Sequence, residues 1–443
     1  MFTLYRTQNG LWSAPGLCEL DAATGQVVLN RTVFPRAAQE IFFGRGAGGQ
    51  QLAKAIDKKT SAVLVVVGAS SSKTPTIQES LQKLFQAVRT VQIFEVHGHA
   101  DHQTIHNGIQ AVHRIHADQL IVIGGGTTLD VGKAIAGLAL QEGGEEITPF
   151  QTGEKKVDPD KVLPWIALPT TSGTGSESTN NAVVELGEEK RSIRQIPPPS
   201  TIIADPGFTD TLPLPATIIS LVDAIAQSLE VITHAAATPA VQTISLAAFL
   251  NLIQGIQALC QEEKKPAEVW ALAQMGHAEN RTPFAAVSPV PISQEMRTIL
   301  SWGSLLMGIA FAHAGLGLPH ALVHFCMKYG LAHGHMVGIM LAPGLAVQAL
   351  YDGESALRLA RVEQAFLNSA RDDSLQIGFD QEVTPSANLE YGTLLGWLDA
   401  SISKLFNRIG LATSLQKAGL SNADLDWITA QEYALGASFG IPK

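Results

Sequence analysis

The chain has 443 residues, of which 46% are hydrophobic and 16% charged, so it can bury the cores of two domains and is not a disordered protein. Its net charge of −10 argues against nucleic-acid or anionic-membrane partners, which need concentrated positive charge. Cys18, Cys260 and Cys326 form no CxxC pair, which is typical of free thiols in a reducing compartment. With no signal-peptide pattern and no uninterrupted run of about 18 apolar residues, we expect a cytoplasmic protein.

The first half of the chain predicts strands that alternate with helices. Residues 1–35 are turn-rich, with a hairpin turn over 21–26. Short apolar strands are then predicted over 40–44, 62–67, 91–96, 120–123 and 164–169, and helices over 51–56, 76–88, 104–116 and 129–139. Apolar strands without polar alternation indicate a parallel sheet that is covered on both faces.

The second half is predicted to be helical. From about residue 213 the apolar spacing is helical almost to the end, so we place a domain boundary between residues 205 and 206. Residues 1–35 are treated as an extension of unknown role on the first domain. Residues 261–294, rich in Glu, Lys and Pro, predict a surface excursion.

Two predicted strands end in loops that suit a polar ligand. The strand over 120–123 runs into Gly124, Gly125 and Gly126 and then a helix, where backbone N–H groups and the helix dipole favour a phosphate. The segment matches neither GxGxxG nor a Walker loop. Considered alone, it is as consistent with an ordinary tight turn as with a phosphate-binding loop. The loop over 169–177 is rich in small hydroxyl residues, and considered alone it would be interpreted as a surface loop. Two such loops in one domain favour a shared nucleotide crevice.

The helical half carries a metal-site composition. Asp223 and Gln227 lie one helical turn apart, and His320, His324, His333 and His335 follow within sixteen residues. Carboxylate and imidazole are ligands for Zn²⁺ or Fe²⁺. A single such histidine would more simply be a core residue, but four in an apolar stretch favour a site.

Four segments, taken together, resemble the iron-containing alcohol dehydrogenase family in the same order. They are GGGTTLDVGKAIA (124–136), LPTTSGTGSE (168–177), DAIAQSLE with its upstream DP and LP (205–230), and GIAFAHAGLGLPHALVH (308–324). The resemblance implies an NAD(P)-dependent alcohol dehydrogenase or aldehyde reductase that interconverts an aldehyde or ketone with an alcohol. It also implies a Rossmann-like α/β domain with a parallel sheet, an all-α domain for metal and substrate in a dehydroquinate synthase-like architecture, and a homo-oligomer.

The resemblance also implies the roles of individual residues. The positions that match cofactor-binding ones are Gly124, Gly125, Gly126, Thr127, Asp130, Thr170, Thr171 and Thr174. Those that match metal ligands are Asp223, Gln227, His320 and His333. His324 matches a histidine that relays a proton near the substrate.

The chain departs from the family pattern at two metal positions. Gln227 stands where the family has His, and an amide oxygen is a weaker ligand than imidazole, so we expect weaker metal binding or none. The last ligand is ambiguous because the family spacing falls between His333 and His335. We favour His333 because Gly334 follows it, as a glycine follows the last histidine in the family.

The loop after the second predicted strand bears on the cofactor. An NAD-selective site commonly ends this strand in an acid that binds the ribose hydroxyls. Here Gly68, Ser70, Ser71 and Lys73 follow Val67 with no acid among residues 68–73. This pattern, which resembles the loop of the NADP-dependent branch, favours NADP(H) over NAD(H), although an ordinary polar turn is an alternative.

Other functions remain open at the level of sequence. Relatives of dehydroquinate synthase and phosphate-polyol dehydrogenases share the architecture, but they need Lys and Arg near the histidines to hold a phosphorylated substrate, and the helical half is poor in them there. A catalytically degenerate relative with an assembly role is favoured by Gln227 alone.

Overall fold

The computed structural model describes residues 1–187, 189–261, 292–326, 329–379 and 392–428, without the side chains of residues 189 and 324–326. The chain divides into two compact units, Gly16–Leu212, and Met1–Pro15 together with Pro213–Lys443. The sequence predicted one boundary, at residue 205, and assigned the first fifteen residues to the first domain. In the structure the boundary lies at residue 212, and those fifteen residues belong to the helical unit.

The first unit is built on a six-stranded parallel sheet. Its strands are β5 (Glu40–Phe43), β6 (Ala62–Gly68), β7 (Thr90–Val96), β8 (Gln119–Gly124), β9 (Trp165–Pro169) and β12 (Thr201–Ala204), in the order β5-β12-β9-β8-β6-β7. All five pairings are parallel. The predicted α/β fold with a parallel sheet is therefore confirmed.

Helices cover this sheet and explain why its strands lack polar alternation. They are α1 (Ala47–Gln51), α2 (Pro75–Ala87), α3 (His102–Ile115), α4 (Gly126–Leu138) and α5 (Thr148–Thr152). Residues 63–67 of β6 and 120–123 of β8 are completely buried. Local signals set the helix ends, since α2 begins at a proline and Asp101 caps α3 by accepting from the Thr104 N–H at 2.7 Å.

Short elements of this unit differ from the sequence expectation. The hairpin turn over 21–26 is confirmed, since β3 (Cys18–Leu20) pairs with β4 (Val27–Leu29). The first helix spans Ala47–Gln51 and not residues 51–56. Strand β12 and the hairpin of β10 (Ala182–Leu186) and β11 (Glu189–Ile193) were not predicted.

The second unit is mainly helical. Its helices are α6 (Leu214–Thr233), α7 (Pro239–Gln261), α8 (Gln294–Phe311), α9 (Leu318–Cys326), α10 (His333–Tyr351), α11 (Gly353–Ser369) and α12 (Gly392–Arg408). Although polar residues or proline interrupt them, α6, α7 and α10 are long and apolar enough on average to span a membrane, with mean hydropathies of 1.4, 1.5 and 1.3. Their most apolar windows are 83%, 78% and 50% buried inside the protein, so packing between helices accounts for much of this apolar character.

The chain's N-terminus belongs to this helical unit. Strand β1 (Phe2–Arg6) pairs antiparallel with β13 (Ser374–Ile377) and with β2 (Trp12–Ser13). The Asn251 side chain accepts from the Trp12 N–H and donates to the Trp12 carbonyl, both at 2.9 Å. The predicted helical domain thus also carries a small sheet that the sequence did not predict. Most of the predicted excursion over 261–294 lies outside the described residues.

Candidate functional site

The carboxyl ends of three neighbouring strands meet in the first unit. Gly68 ends β6, Gly124 ends β8, and Gly124 is in register with Pro169 at the end of β9. From β6 the chain continues to β7 on one side, whereas from β8 it continues to β9 on the other. Such a change of direction between adjacent strands opens a crevice at their carboxyl ends, where open α/β sheets bind ligands.

The glycine-rich turn after β8 leaves no room for side chains. A Cβ on Gly124 would lie 2.4 Å from Thr128 Cβ, and a Cβ on Gly126 would lie 2.7 Å from Thr174 Cγ2. Helix α4 begins at Gly126 with no side-chain cap from Gly125. The bare backbone and the uncapped helix start form a cradle that suits the pyrophosphate of a dinucleotide.

Hydrogen bonds attach the second motif to this cradle. The Thr170 N–H donates to the Gly124 carbonyl at 3.0 Å, and the hydroxyls of Ser71 and Thr170 are 3.1 Å apart. A Cβ on Gly125 would lie 3.0 Å from Thr171 Cγ2. The three predicted loops therefore lie together at one end of the sheet. Thr127, Ser70 and Lys73 are exposed at its margin.

Asp130, which was predicted to bind the cofactor, contributes to a buried polar network. Its carboxylate accepts from Ser176 Oγ at 2.5 Å and lies 3.5 Å from Lys133 Nζ. Lys133 is completely buried and also donates to Ser176, to Thr179 and to the Asn181 carbonyl, at 3.1, 3.1 and 2.8 Å. The network fastens the loop over 174–181 to α4. Sequence reasoning did not single out Lys133, although it lies one turn from Asp130.

A second buried acid lies beside this lysine. Burial raises the pKa of Glu177 to about 7, against the charge of Lys133, which lowers it. Glu177 therefore changes protonation near neutral pH, whereas an exposed glutamate would not.

A cluster of potential metal ligands lies in the helical unit. One ligand atom from each of Asp223, His320 and His333 lies within 4.8 Å of the other two. Asp223 Oδ1 is 3.3 Å from His320 Nε2 and 3.8 Å from His333 Nε2. Burial would raise the pKa of Asp223, but the two histidines lower it below its ordinary value, so the carboxylate is ionised.

Gly334 lets the last of these residues reach the cluster. A Cβ at this position would lie 2.5 Å from the Ile219 carbonyl oxygen and 3.1 Å from Asp223 Cβ. Only a glycine therefore allows the first turn of α10 to approach α6 this closely, and that approach brings His333 to Asp223.

Gln227 lies beside the cluster with one free acceptor. Its side-chain N–H donates to Asp223 Oδ2 at 3.2 Å. Its Oε1 is buried and has no hydrogen-bond partner among the described residues. A buried amide oxygen without a partner costs free energy unless something binds it. The donor set of one carboxylate, two imidazoles and this oxygen therefore fits a divalent cation.

Glu230 is a site residue that sequence reasoning missed. It is fully buried, one turn of α6 beyond Gln227, and its carboxylate accepts from His320 Nδ1. Burial alone would lower the pKa of His320, but the carboxylates of Glu230 and Asp223 raise it to about 10. The surroundings of His320 thus carry excess negative charge, which favours a bound cation. The spacing of Asp223, Gln227 and Glu230 along one helix face was a signal in the sequence.

The two alternatives for the last ligand lie in different surroundings. His333 faces Asp223 and His320, and its ring centroid is 5.2 Å from that of His320. His335 is buried, lies within hydrogen-bond distance of the Ala412 carbonyl at 2.7 Å, and packs its ring edge-on against Phe406. Of the two, His333 therefore lies at the cluster. His324 lies in α9, but its side chain is outside the described part of the chain.

Known proteins resemble this chain in sequence and in fold. The family model of iron-containing alcohol dehydrogenases matches residues 38–206. The NAD-dependent methanol dehydrogenase of Bacillus methanolicus is 28% identical over 297 residues, 66% of this chain and 69% of the relative. The 1,3-propanediol dehydrogenase of Citrobacter freundii is 23% identical over 397 residues, 88% of this chain and 89% of the relative.

The fold of a solved structure extends the likeness over both units. The NADH-dependent butanol dehydrogenase A of Thermotoga maritima superposes with a TM-score of 0.66 at 20% identity, covering 90% of each chain. With the glycine cradle on the sheet and the ligand cluster on α6, α9 and α10, these matches lead to one conclusion. The chain is similar to iron-containing alcohol dehydrogenases, whose family model matches residues 38–206.

Proposed function

We propose that this chain is an iron-containing alcohol dehydrogenase that interconverts an aldehyde or ketone with the corresponding alcohol by hydride transfer to or from a nicotinamide cofactor. The cluster of Asp223, His320 and His333 carries the proposal. One carboxylate and two imidazoles form the ligand set of a catalytic cation, which leaves further coordination positions for substrate. The relatives' printed names, methanol and 1,3-propanediol dehydrogenase, support small alcohols as the substrate class.

The chain's own residues hold and orient the reactants. Asp223 and the two histidines would hold a divalent cation such as Fe²⁺ or Zn²⁺, with Gln227 Oε1 as a fourth donor. When bound, such a cation supplies polarisation of the carbonyl oxygen. The backbone of residues 124–126 and the start of α4 would bind the pyrophosphate of the dinucleotide, whose nicotinamide supplies the hydride chemistry. His324, one helical turn after His320, is proposed to pass a proton to the substrate oxygen.

The test of this function is turnover with a matched variant. Purified protein is expected to oxidise NADPH or NADH in the presence of short aldehydes and to run in reverse with alcohols. Asp223→Asn is expected to lose turnover yet bind the dinucleotide like the wild type, because the glycine cradle does not include Asp223. Dinucleotide binding without turnover of any aldehyde or ketone by the wild type would reject the proposal and favour a degenerate relative.

The finer proposal is a preference for NADP(H). It is supported by the absence of an acid among residues 68–73 and by the exposed Lys73, because a lysine neutralises a 2′-phosphate. The methanol and butanol dehydrogenases above are named for NAD and NADH, so this chain would differ from them. Lys73→Ala is expected to lower kcat/KM for NADPH and leave that for NADH unchanged, with exposed Lys58→Ala as control. Equal wild-type kcat/KM for the two cofactors would contradict the preference.

Replacement of Gln227 by histidine is expected to tighten divalent-metal binding. An imidazole is a stronger ligand than an amide oxygen for Zn²⁺ or Fe²⁺, so Kd should fall by at least about tenfold, which is ~1.4 kcal/mol. Gln227→Leu removes the unpartnered oxygen at similar volume and should raise Kd. Competition with a chelator of known affinity measures both. Three equal Kd values would show that residue 227 is not a ligand.

The cytoplasmic location and the homo-oligomeric state stay predictions from sequence and resemblance.

A further inference from the structure

Glu230 is a buried acid that the proposed chemistry does not use directly. It lies on α6, seven residues after Asp223 and three after Gln227, with none of its surface exposed. This spacing places all three side chains on one face of the helix. A carboxylate in such a place is costly unless its oxygens are well hydrogen-bonded.

Both oxygens of Glu230 are hydrogen-bonded to the start of α9. Oε1 accepts from the backbone N–H groups of Gly317 and His320, each at 3.0 Å, and Oε2 contacts Nδ1 of the His320 ring. One carboxylate thus fixes both the backbone and the imidazole of the same residue. The first turn of α9 and its histidine are held as one rigid piece against α6.

These contacts determine which ring nitrogen can bind a cation. A carboxylate accepts but does not donate, so Nδ1 must carry the proton. Nε2 is then the nitrogen that faces the cluster, 3.3 Å from Asp223 Oδ1. A hydrogen-bonded carboxylate also makes the ring a stronger donor to a metal.

We propose that Glu230 is a positioning residue that holds His320 in its metal-binding orientation, with the proton on Nδ1 and Nε2 directed to the cation. The proposal rests on the proposed function only in taking the cluster of Asp223, His320 and His333 as a divalent-metal site. Glu230 itself does not contact the metal.

The test compares Zn²⁺ affinity in three metal-stripped proteins. In Glu230→Gln an amide replaces the carboxylate at nearly the same size, and its NH₂ group can donate to Nδ1. The variant is expected to bind Zn²⁺ about 10- to 100-fold more weakly. The matched control is Ser228→Ala on the same helix, which removes a buried hydroxyl bonded to the Ala224 carbonyl. It should bind Zn²⁺ like the wild type.

The outcomes separate this proposal from the function. Equal Zn²⁺ affinity for Glu230→Gln and wild type would overturn the role of Glu230, whatever the turnover. A wild type that binds no divalent cation would overturn both this role and the metal part of the function. A wild type that binds Zn²⁺ but reduces no aldehyde would reject the function alone, and the affinity ratio would still decide the role of Glu230.

A second measurement needs no variant and so does not depend on how Glu230→Gln folds. Nitrogen-15 NMR of histidine-labelled wild type loaded with Zn²⁺ should show His320 with a hydrogen-bonded proton on Nδ1 and metal on Nε2. A proton on Nε2 would contradict the proposal.

Discussion

Replacement of Lys133 by methionine is expected to lower the free energy of unfolding by about 3–5 kcal/mol. Lys133 is completely buried and is the positive charge beside Asp130 and Glu177. Methionine keeps much of the volume but removes the charge and the donors to Ser176, Thr179 and the Asn181 carbonyl. A buried carboxylate then loses its counter-charge, and removing one partner of such a pair costs far more than the pair contributes as a whole.

Urea unfolding measures this effect, and the chain provides a matched control. Lys83→Met removes an exposed lysine whose Nζ lies 3.1 Å from Glu79 one helical turn earlier. Such a pair contributes less than about 0.5 kcal/mol. Adding Asp130→Asn to Lys133→Met should recover part of the loss, because the unpaired charge disappears. Equal stability of Lys133→Met and Lys83→Met would show that the network does not hold the loop.

Loss of His333 is expected to abolish tight metal binding, whereas loss of His335 is not. Because the His333 side chain is 38% exposed, alanine there should leave the fold intact. The substitution removes one of the two imidazole ligands. Kd for Zn²⁺ should therefore rise by at least about 100-fold, which is the upper end of the loss expected when a residue that only supports a ligand is removed. His335→Ala should keep the metal but lower stability by about 1–3 kcal/mol, through the lost hydrogen bond to Ala412.

Elemental analysis, a Zn²⁺ titration and thermal melting of both variants distinguish the two residues. The same stretch of α10 carries both substitutions, so a general effect on the helix would act on both. Metal loss in His335→Ala with metal kept in His333→Ala would reverse the ligand assignment.

The sequence predicts the parallel sheet well because most of its strands are short, continuous apolar segments. Buried segments such as residues 63–67 read as continuous apolar runs, and each is bounded by glycine or polar residues. Strand β12 was missed because the three prolines at residues 197–199 indicate a loop just before it. The pairing of β1 with β13 joins residues more than 360 positions apart, and no local pattern in either segment specifies that contact.

The sequence predicts those site residues that lie in recognisable motifs. Asp223, His320 and His333 are brought together as their pattern implies. The contact between Glu230 and His320 spans 90 positions and depends on how α9 packs on α6, which spacing alone does not give. Asp130 was expected to bind the cofactor. In the structure its carboxylate contacts Ser176 and the buried Lys133, and the sequence pattern did not predict these contacts. The side chain of His324 lies outside the described residues, so its role stays a prediction.

We propose that a divalent metal held by Asp223, His320 and His333 assists carbonyl reduction by a nicotinamide cofactor. The most direct test strips the purified protein with a chelator and follows NADPH and NADH oxidation with short aldehydes before and after equimolar Zn²⁺ or Fe²⁺ is returned. We expect turnover to disappear on stripping and to return with metal. Undiminished turnover in protein that elemental analysis shows to be metal-free would contradict the claim.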